Sequence, residues 1–160
     1  MPVHQSGFGN VLLEIANEHT HKGFDHKSIS QPEGMAELIA LARSAAPGVL
    51  VSASSEGDGS IHPEVARAAD FLLIHFSGTP VEQIPSRVEA LRRYGKATVC
   101  NEDDKVADEG ARAAEAAVAA GCSWGLMLSK ANQAAPFTFQ GPADDPVVYA
   151  KLRELTTPAR

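Results

Sequence analysis

The chain has 160 residues, 44% of them hydrophobic, and a formal net charge of −6. This length is typical of a single domain, and the apolar content is sufficient for a packed core, which excludes a largely disordered chain. The acidic balance argues against nucleic-acid binding, and no apolar run is long enough to span a membrane. The N-terminal segment MPVHQSGFGN lacks the pattern of a signal peptide.

Short apolar runs alternate with helical patterns along the chain, which is typical of βαβ units with a parallel sheet. The predicted strands lie at 10–16, 49–54, 71–76, 97–100 and 122–128. The helices predicted between and after them lie at about 34–46, 62–69, 79–94, 108–120 and from 145 onwards. A polar loop, 17–32, follows the first strand. Without a close internal repeat or an interdomain linker, residues 1–160 are predicted to form one α/β domain.

Two architectures fit this array. One is a doubly wound open sheet of flavodoxin-like type, and the other is part of a (β/α)₈ barrel. The alternation of strands and helices leaves both open. The segment GDGS after the second strand lacks the spacing of a phosphate-binding loop, which counts against the nucleotide-binding versions of the open sheet.

The same dipeptide directly follows two of the predicted strands: Asn17-Glu18 follows the first strand, and Asn101-Glu102 follows the fourth. The C-terminal ends of parallel strands meet on one face of a sheet, so both carboxylates are expected there. Glycoside hydrolysis needs such a pair: one carboxyl donates a proton to the leaving oxygen, while the other attacks the anomeric carbon or activates water. A separation of about 5–5.5 Å gives retention, and about 6.5–9.5 Å gives inversion.

Two segments carry a family resemblance. VLLEIANE at 11–18 resembles the fourth strand of the clan-A glycoside hydrolases, the cellulase-like and mannanase-like barrels, and KATVCNEDD at 96–104 resembles their seventh strand. Two predicted strands lie between them, as in that clan. The resemblance implies a partial (β/α)₈ TIM barrel of five βα units with a parallel sheet, covering strands four to eight. Barrel strands one to three would then be missing.

The resemblance also implies a role for each matching residue. Glu18 would be the general acid/base and Glu102 the nucleophile, in the hydrolysis of a β-linked glycoside with retention. Asn17 would bind the 2-hydroxyl group of the substrate. His75, at the end of the sixth barrel strand, would orient Glu102 or contact the sugar. This mechanism needs no cofactor and no metal.

Other residues near these strand ends are expected to contact the carbohydrate. Trp124, in the eighth barrel strand, would form the floor of the sugar subsite, because an aromatic face stacks on the C–H face of a pyranose. Asn101 is expected to bind substrate beside the nucleophile. Asp103 and Asp104 are expected to steer or bind polar substrate. Enzymes that degrade polysaccharides are often secreted, and the cellular location is left unassigned.

Two other functions stay open. With three barrel strands missing, the substrate cleft would lack a wall, and the chain would be a truncated, non-catalytic carbohydrate-binding or assembly fragment. Its exposed strand edges predict self-association or pairing with a complementing N-terminal half-barrel. Alternatively, His19, His21 and His26 in the polar loop would hold a transition metal in a metal-dependent enzyme.

Cys100 and Cys122 lie in apolar strand-like runs. Two cysteines in a chain of this size do not form a disulfide scaffold. Both are therefore predicted to be buried free thiols.

Overall fold

The computed structural model describes residues 10–157, so most of the segment inspected for a signal peptide lies outside the described residues. The strands are Leu12–Glu14 (β1), Leu50–Ser52 (β2), Leu72–His75 (β3), Thr98–Glu102 (β4) and Cys122–Ser123 (β5). The α-helices are Lys27–Ser30 (α1), Pro32–Ala45 (α2), Pro63–Ala68 (α3), Ile84–Leu91 (α4), Ala107–Ala119 (α5) and Pro146–Thr156 (α6). Within 10–157, no helix has the length and apolar character needed to cross a membrane.

The strands form two small parallel sheets in a mixed α/β fold. β1 pairs with β2, and β3, β4 and β5 pair in that order, so neighbouring strands follow the order of the chain. The two sheets are linked at β2 and β3, where the Asp70 amide donates to the Val51 carbonyl oxygen at 2.8 Å and Ser52 Oγ donates to the Phe71 carbonyl oxygen at 2.8 Å. A flavodoxin-like sheet would place the first strand between the second and third.

The first and last strands are shorter than their apolar runs predict. The sequence predicts a fifth strand over 122–128, but only Cys122–Ser123 pairs with β4, followed by an isolated bridge between Asp103 and Leu126. Past Trp124 the two segments stay in contact, with the Asp103 amide donating to the Gly125 carbonyl oxygen at 3.0 Å. The Trp124 indole reaches into the core, where its N–H donates to the Asp103 carboxylate at 2.8 Å. A π-helical turn, Ser129–Gln133, then begins the loop that leads to α6.

The core lies between the strands and the helices that cover them. Met35 and Ile39, one turn apart on α2, are fully buried, as their helical spacing predicts. Every residue of β3 is buried, which is typical of a parallel strand covered on both faces. Cys100 and Cys122 are buried and free, which confirms the prediction. Burial raises the pKa of both thiols, that of Cys122 to about 12.

Candidate functional site

Glu18, His75 and Glu102 meet on the side of the sheets where the strands end. His75 and Glu102 are the last residues of β3 and β4, and Glu18 lies in the turn that follows β1. His75 Nδ1 lies 3.2 Å from Glu18 Oε1 and 3.7 Å from Glu102 Oε2. One carboxylate oxygen of each glutamate and the histidine nitrogen all lie within 4.8 Å of one another. The His75 side chain is fully buried, whereas the side chains of Glu18 and Glu102 are 30% and 20% exposed. Both carboxylates are therefore open to a ligand, and the histidine packs behind them.

A β-bulge places Glu102 opposite His75. Ile74 pairs with Cys100, but the next residue of β3, His75, pairs with Glu102, so Asn101 is the extra residue of β4. The Phe76 amide then donates to the Glu102 carbonyl oxygen at 3.0 Å, which closes the irregular segment. A bulge re-aims a side chain by adding one residue to a strand. Here it brings the Glu102 carboxylate close to the ring of His75.

Glu18 has a left-handed backbone conformation, with φ +49°. This conformation costs a residue other than glycine about 1–2 kcal/mol, so neighbouring contacts must offset it. The Glu18 amide donates to Ser54 Oγ at 2.9 Å, and the next amide, that of His19, donates to the Ser54 carbonyl oxygen at 3.0 Å. One buried serine thus binds two successive amides at the turn that presents Glu18.

Glu14 is a third carboxyl group near the site. Ser54 Oγ donates to Glu14 Oε1 at 2.5 Å. Burial raises the pKa of the Glu14 carboxyl, and the charge of Glu102 raises it further, whereas the Ser54 hydrogen bond and the charge of His75 oppose the shift. Sequence reasoning missed Glu14 and Ser54. The available signal was an acidic residue inside the apolar run VLLEIA, where a solvated carboxylate is not expected.

The contact between His75 and Glu18 holds one proton. Nδ1 lies 3.2 Å from Glu18 Oε1, and it donates when the carboxylate is ionised and accepts when the carboxyl group is protonated. Nε2 is buried and has no hydrogen-bond partner among the described residues. The ring is therefore fixed by its carboxylate contact and by packing in β3, and not by a second hydrogen bond.

Two cavities flank the carboxylate pair. One, of about 450 Å³, is lined by Glu18 together with Thr20, His21, Lys22, Glu56 and Gly57. The other, of about 210 Å³, is lined by Glu102 together with Asn101, Leu126, Met127, Asn132 and Gln133. Asn101 thus lies beside Glu102, where the resemblance predicts substrate binding, and Asn17 is exposed next to Glu18.

Trp124 belongs to a buried polar network. Only 8% of it is exposed, and the Asp103 carboxylate that accepts its N–H has no exposed surface. Asp103 also pairs with Lys105, whose Nζ lies 2.9 Å from Oδ1 and donates to the Phe76 carbonyl oxygen at 2.7 Å. The expectation that Asp103 binds substrate is therefore wrong, because both of its oxygens are used inside the protein. Contact between Trp124 and a sugar stays a prediction.

The histidines of the polar loop are not gathered into one site. His19 is buried, with Nδ1 3.0 Å from the Ile29 carbonyl oxygen and its ring edge against His62. Burial lowers the pKa of His19, and the neighbouring His62 lowers it further. His21 and His26 are exposed, and Nδ1 of His21 accepts a hydrogen bond from the Gly23 amide.

The chemistry of Glu18, His75 and Glu102 also suits a divalent cation, since imidazole and carboxylate ligands together bind zinc, iron and manganese. Across residues 10–157, no other group of three or more histidine, cysteine, aspartate or glutamate side chains comes together in this way. The candidate metal centre therefore coincides with the carboxylate pair and does not include the exposed His21 and His26.

No known protein family, curated protein or solved structure matches the chain. The likeness to clan-A glycoside hydrolases thus rests on the residues of the two strand motifs. The function proposed below therefore depends on the geometry of the site.

Proposed function

We propose that the chain is the C-terminal part of a (β/α)₈ barrel, strands four to eight, and that it carries the carboxylate pair of a retaining β-glycoside hydrolase. The observation that carries this proposal is the approach of Glu18 and Glu102, with one oxygen of each within 4.8 Å. Retaining enzymes hold their carboxyl groups about 5–5.5 Å apart, and inverting enzymes need room for a water molecule between them. The parallel strands in chain order support the barrel.

Each carboxylate has a distinct task in this reaction. Glu18 donates its proton to the glycosidic oxygen, and Glu102 attacks the anomeric carbon as the bond to that oxygen breaks. This step leaves a glycosyl ester on Glu102 and releases the aglycone as an alcohol. Glu18 then takes a proton from water, the resulting hydroxide attacks the same carbon, and the Glu102 carboxylate leaves. Two inversions give net retention.

The cavities suggest which side of the pair holds which half of the substrate. The glycone becomes bound to Glu102, so it fits the smaller cavity, where Asn101 and Gln133 offer amide groups to sugar hydroxyls. The aglycone leaves from Glu18 and fits the larger cavity beside Lys22. His75 Nδ1 lies between the carboxylates, within hydrogen-bonding distance of Glu18 at 3.2 Å and 3.7 Å from Glu102.

A panel of aryl β-glycosides tests the proposal. The folded chain is expected to release the phenol, and NMR of the first-formed sugar is expected to show the β-anomer. Glu102→Gln is expected to abolish turnover, and Glu37→Gln, a matched change at an exposed residue of α2, is expected to leave it nearly unchanged. First-formed α-anomer, or equal effects of the two substitutions, would count against retention through Glu102.

A second candidate function is that of a barrel fragment that acts only with a partner. Leu12 and Leu50, paired in register across β1 and β2, are 51% and 49% exposed. Two exposed apolar side chains next to each other on this strand pair favour association with a second copy or with a complementing N-terminal half-barrel. Sedimentation of the chain over a concentration series tests this, since a monomer at every concentration would leave self-association without support.

A third candidate is a metal-dependent enzyme that uses Glu18, His75 and Glu102 as ligands, which their mutual distances favour over the histidine loop. Calorimetric titration of the chain with Zn²⁺ and Mn²⁺ separates this candidate from the first. Retaining hydrolysis is expected to be insensitive to chelators, whereas loss of turnover with EDTA and its recovery with one of these ions would favour the metal.

A further inference from the structure

Glu18 needs a device that holds its carboxylate towards His75, because its backbone occupies a conformation that residues with a side chain seldom adopt. Ser54, just after the end of β2, supplies the contacts. Its hydroxyl oxygen accepts from the Glu18 amide at 2.9 Å, and its carbonyl oxygen accepts from the His19 amide at 3.0 Å.

Glu14 fixes the direction of the Ser54 hydroxyl. A serine hydroxyl has one proton to donate, and here that proton points to Glu14 Oε1. The lone pairs of Ser54 Oγ are then turned towards the Glu18 amide. Since Ser54 has no exposed surface, water does not compete for either hydrogen bond.

We infer that Ser54 and Glu14 are positioning residues for the acid/base carboxylate, linked in the chain Glu14 Oε1, Ser54 Oγ, Glu18 amide. The inference rests on the proposed glycosidase function for its kinetic consequence, but not for its structural one. Neither residue touches substrate. Both act through the backbone of Glu18, whose side chain lies 3.2 Å from His75 Nδ1.

The kinetic consequence depends on the leaving group. Misplacing the acid is expected to lower kcat/KM about a hundredfold when the leaving oxygen needs a proton, because a positioned general acid accelerates the reaction about 10²–10⁴-fold. A dinitrophenolate needs no proton when it leaves. Ser54→Ala is therefore expected to lower kcat/KM about a hundredfold for alkyl β-glycosides and less than about tenfold for dinitrophenyl β-glycosides.

Matched variants separate positioning from general damage. Ser55→Ala removes the neighbouring buried hydroxyl, whose Oγ has no hydrogen-bond partner among the described residues. In this variant kcat/KM is expected to fall slightly and to the same extent for both substrates. Glu14→Gln keeps an oxygen that accepts the hydrogen bond from Ser54, whereas Glu14→Leu does not. The kcat/KM of Glu14→Gln is therefore expected to lie nearer to that of the parent chain than the kcat/KM of Glu14→Leu. Equal losses on both substrates in Ser54→Ala would overturn the inference.

Amide hydrogen exchange tests the same inference without any turnover. In Ser54→Ala, the Glu18 amide is expected to lose protection, while the His19 amide keeps its bond to the main-chain carbonyl and serves as an internal control. If the parent chain cleaves no glycoside, the proposed function fails. The exchange of the Glu18 amide then still tests whether Ser54 positions the Glu18 backbone. An unchanged Glu18 amide in Ser54→Ala would overturn the positioning inference whatever the activity.

Discussion

Replacing Asp103 by alanine is expected to destabilise the protein strongly, because the Asp103 carboxylate is buried and paired with Lys105. Asp103 has no exposed surface, and its two oxygens accept from the Trp124 indole at 2.8 Å and from Lys105 Nζ at 2.9 Å. Its removal leaves the Lys105 ammonium, itself 8% exposed, with the Phe76 carbonyl oxygen as its remaining partner.

The size of the effect follows from that stranded charge. Removing one partner of a buried ion pair costs about 3–5 kcal/mol, because the other charge stays desolvated and uncompensated. The free energy of unfolding of a domain is about 5–15 kcal/mol, so Asp103→Ala is expected to remove a large share of the stability. The neighbouring Asp104 is exposed, and Asp104→Ala is expected to change the free energy of unfolding by less than about 0.5 kcal/mol.

Urea unfolding monitored by the fluorescence of Trp124, the only tryptophan, measures both variants. The double variant Asp103→Ala/Lys105→Met is expected to recover part of the loss, since the stranded ammonium is gone. A cost below about 1 kcal/mol for Asp103→Ala, or further damage from the second substitution, would refute the stranded-charge explanation.

Three further predictions concern the Glu14 carboxyl group, the two buried thiols and Gly125. Because burial raises the pKa of Glu14, the parent chain loses stability as the pH rises through the raised value, whereas a glutamine side chain at this position cannot ionise. Glu14→Gln is thus expected to gain stability relative to the parent as the pH rises above about 4.3, the ordinary pKa of a glutamate, and a constant difference in urea midpoints would contradict this. Cys100 and Cys122 are expected to resist a thiol reagent until the chain unfolds, and rapid labelling of the native protein would show that they are accessible. A Cβ added at Gly125 would lie 2.9 Å from the Asn101 carbonyl oxygen, so Gly125→Ala is expected to cost about 1–3 kcal/mol in thermal unfolding, and an unchanged midpoint would argue against that contact.

The sequence predicts the helices and strands well because their apolar spacing is regular. The stripe of Met35 and Ile39 becomes the buried face of α2, and the apolar run 71–76 contains the fully buried strand β3. The location of Glu18 and Glu102 on one side of the strands follows from the same regularity, since parallel strands deliver their C-terminal ends to one face. Their close approach also depends on the β-bulge at Asn101 and the left-handed turn at Glu18, which the apolar spacing does not predict.

The sequence does not predict the environment of a residue when that environment depends on contacts from distant segments. Asp103 follows Glu102 directly, yet it turns inward because Lys105 and Trp124 satisfy its charge in the core. Ser54 lies in an ordinary strand-like run, and its importance depends on the left-handed turn at Glu18, 36 residues earlier. Side-chain hydrogen bonds between such segments leave no periodic signal in the sequence.

Covalent trapping tests the central claim most directly. The chain is incubated with dinitrophenyl 2-deoxy-2-fluoro-β-glycosides of several sugars, and its peptides are then analysed by mass spectrometry. Retention through Glu102 predicts one fluoroglycosyl group on the peptide that contains Glu102, with release of one equivalent of dinitrophenolate. An adduct on a different carboxylate, or a folded chain that cleaves β-glycosides without forming any adduct, would contradict the account.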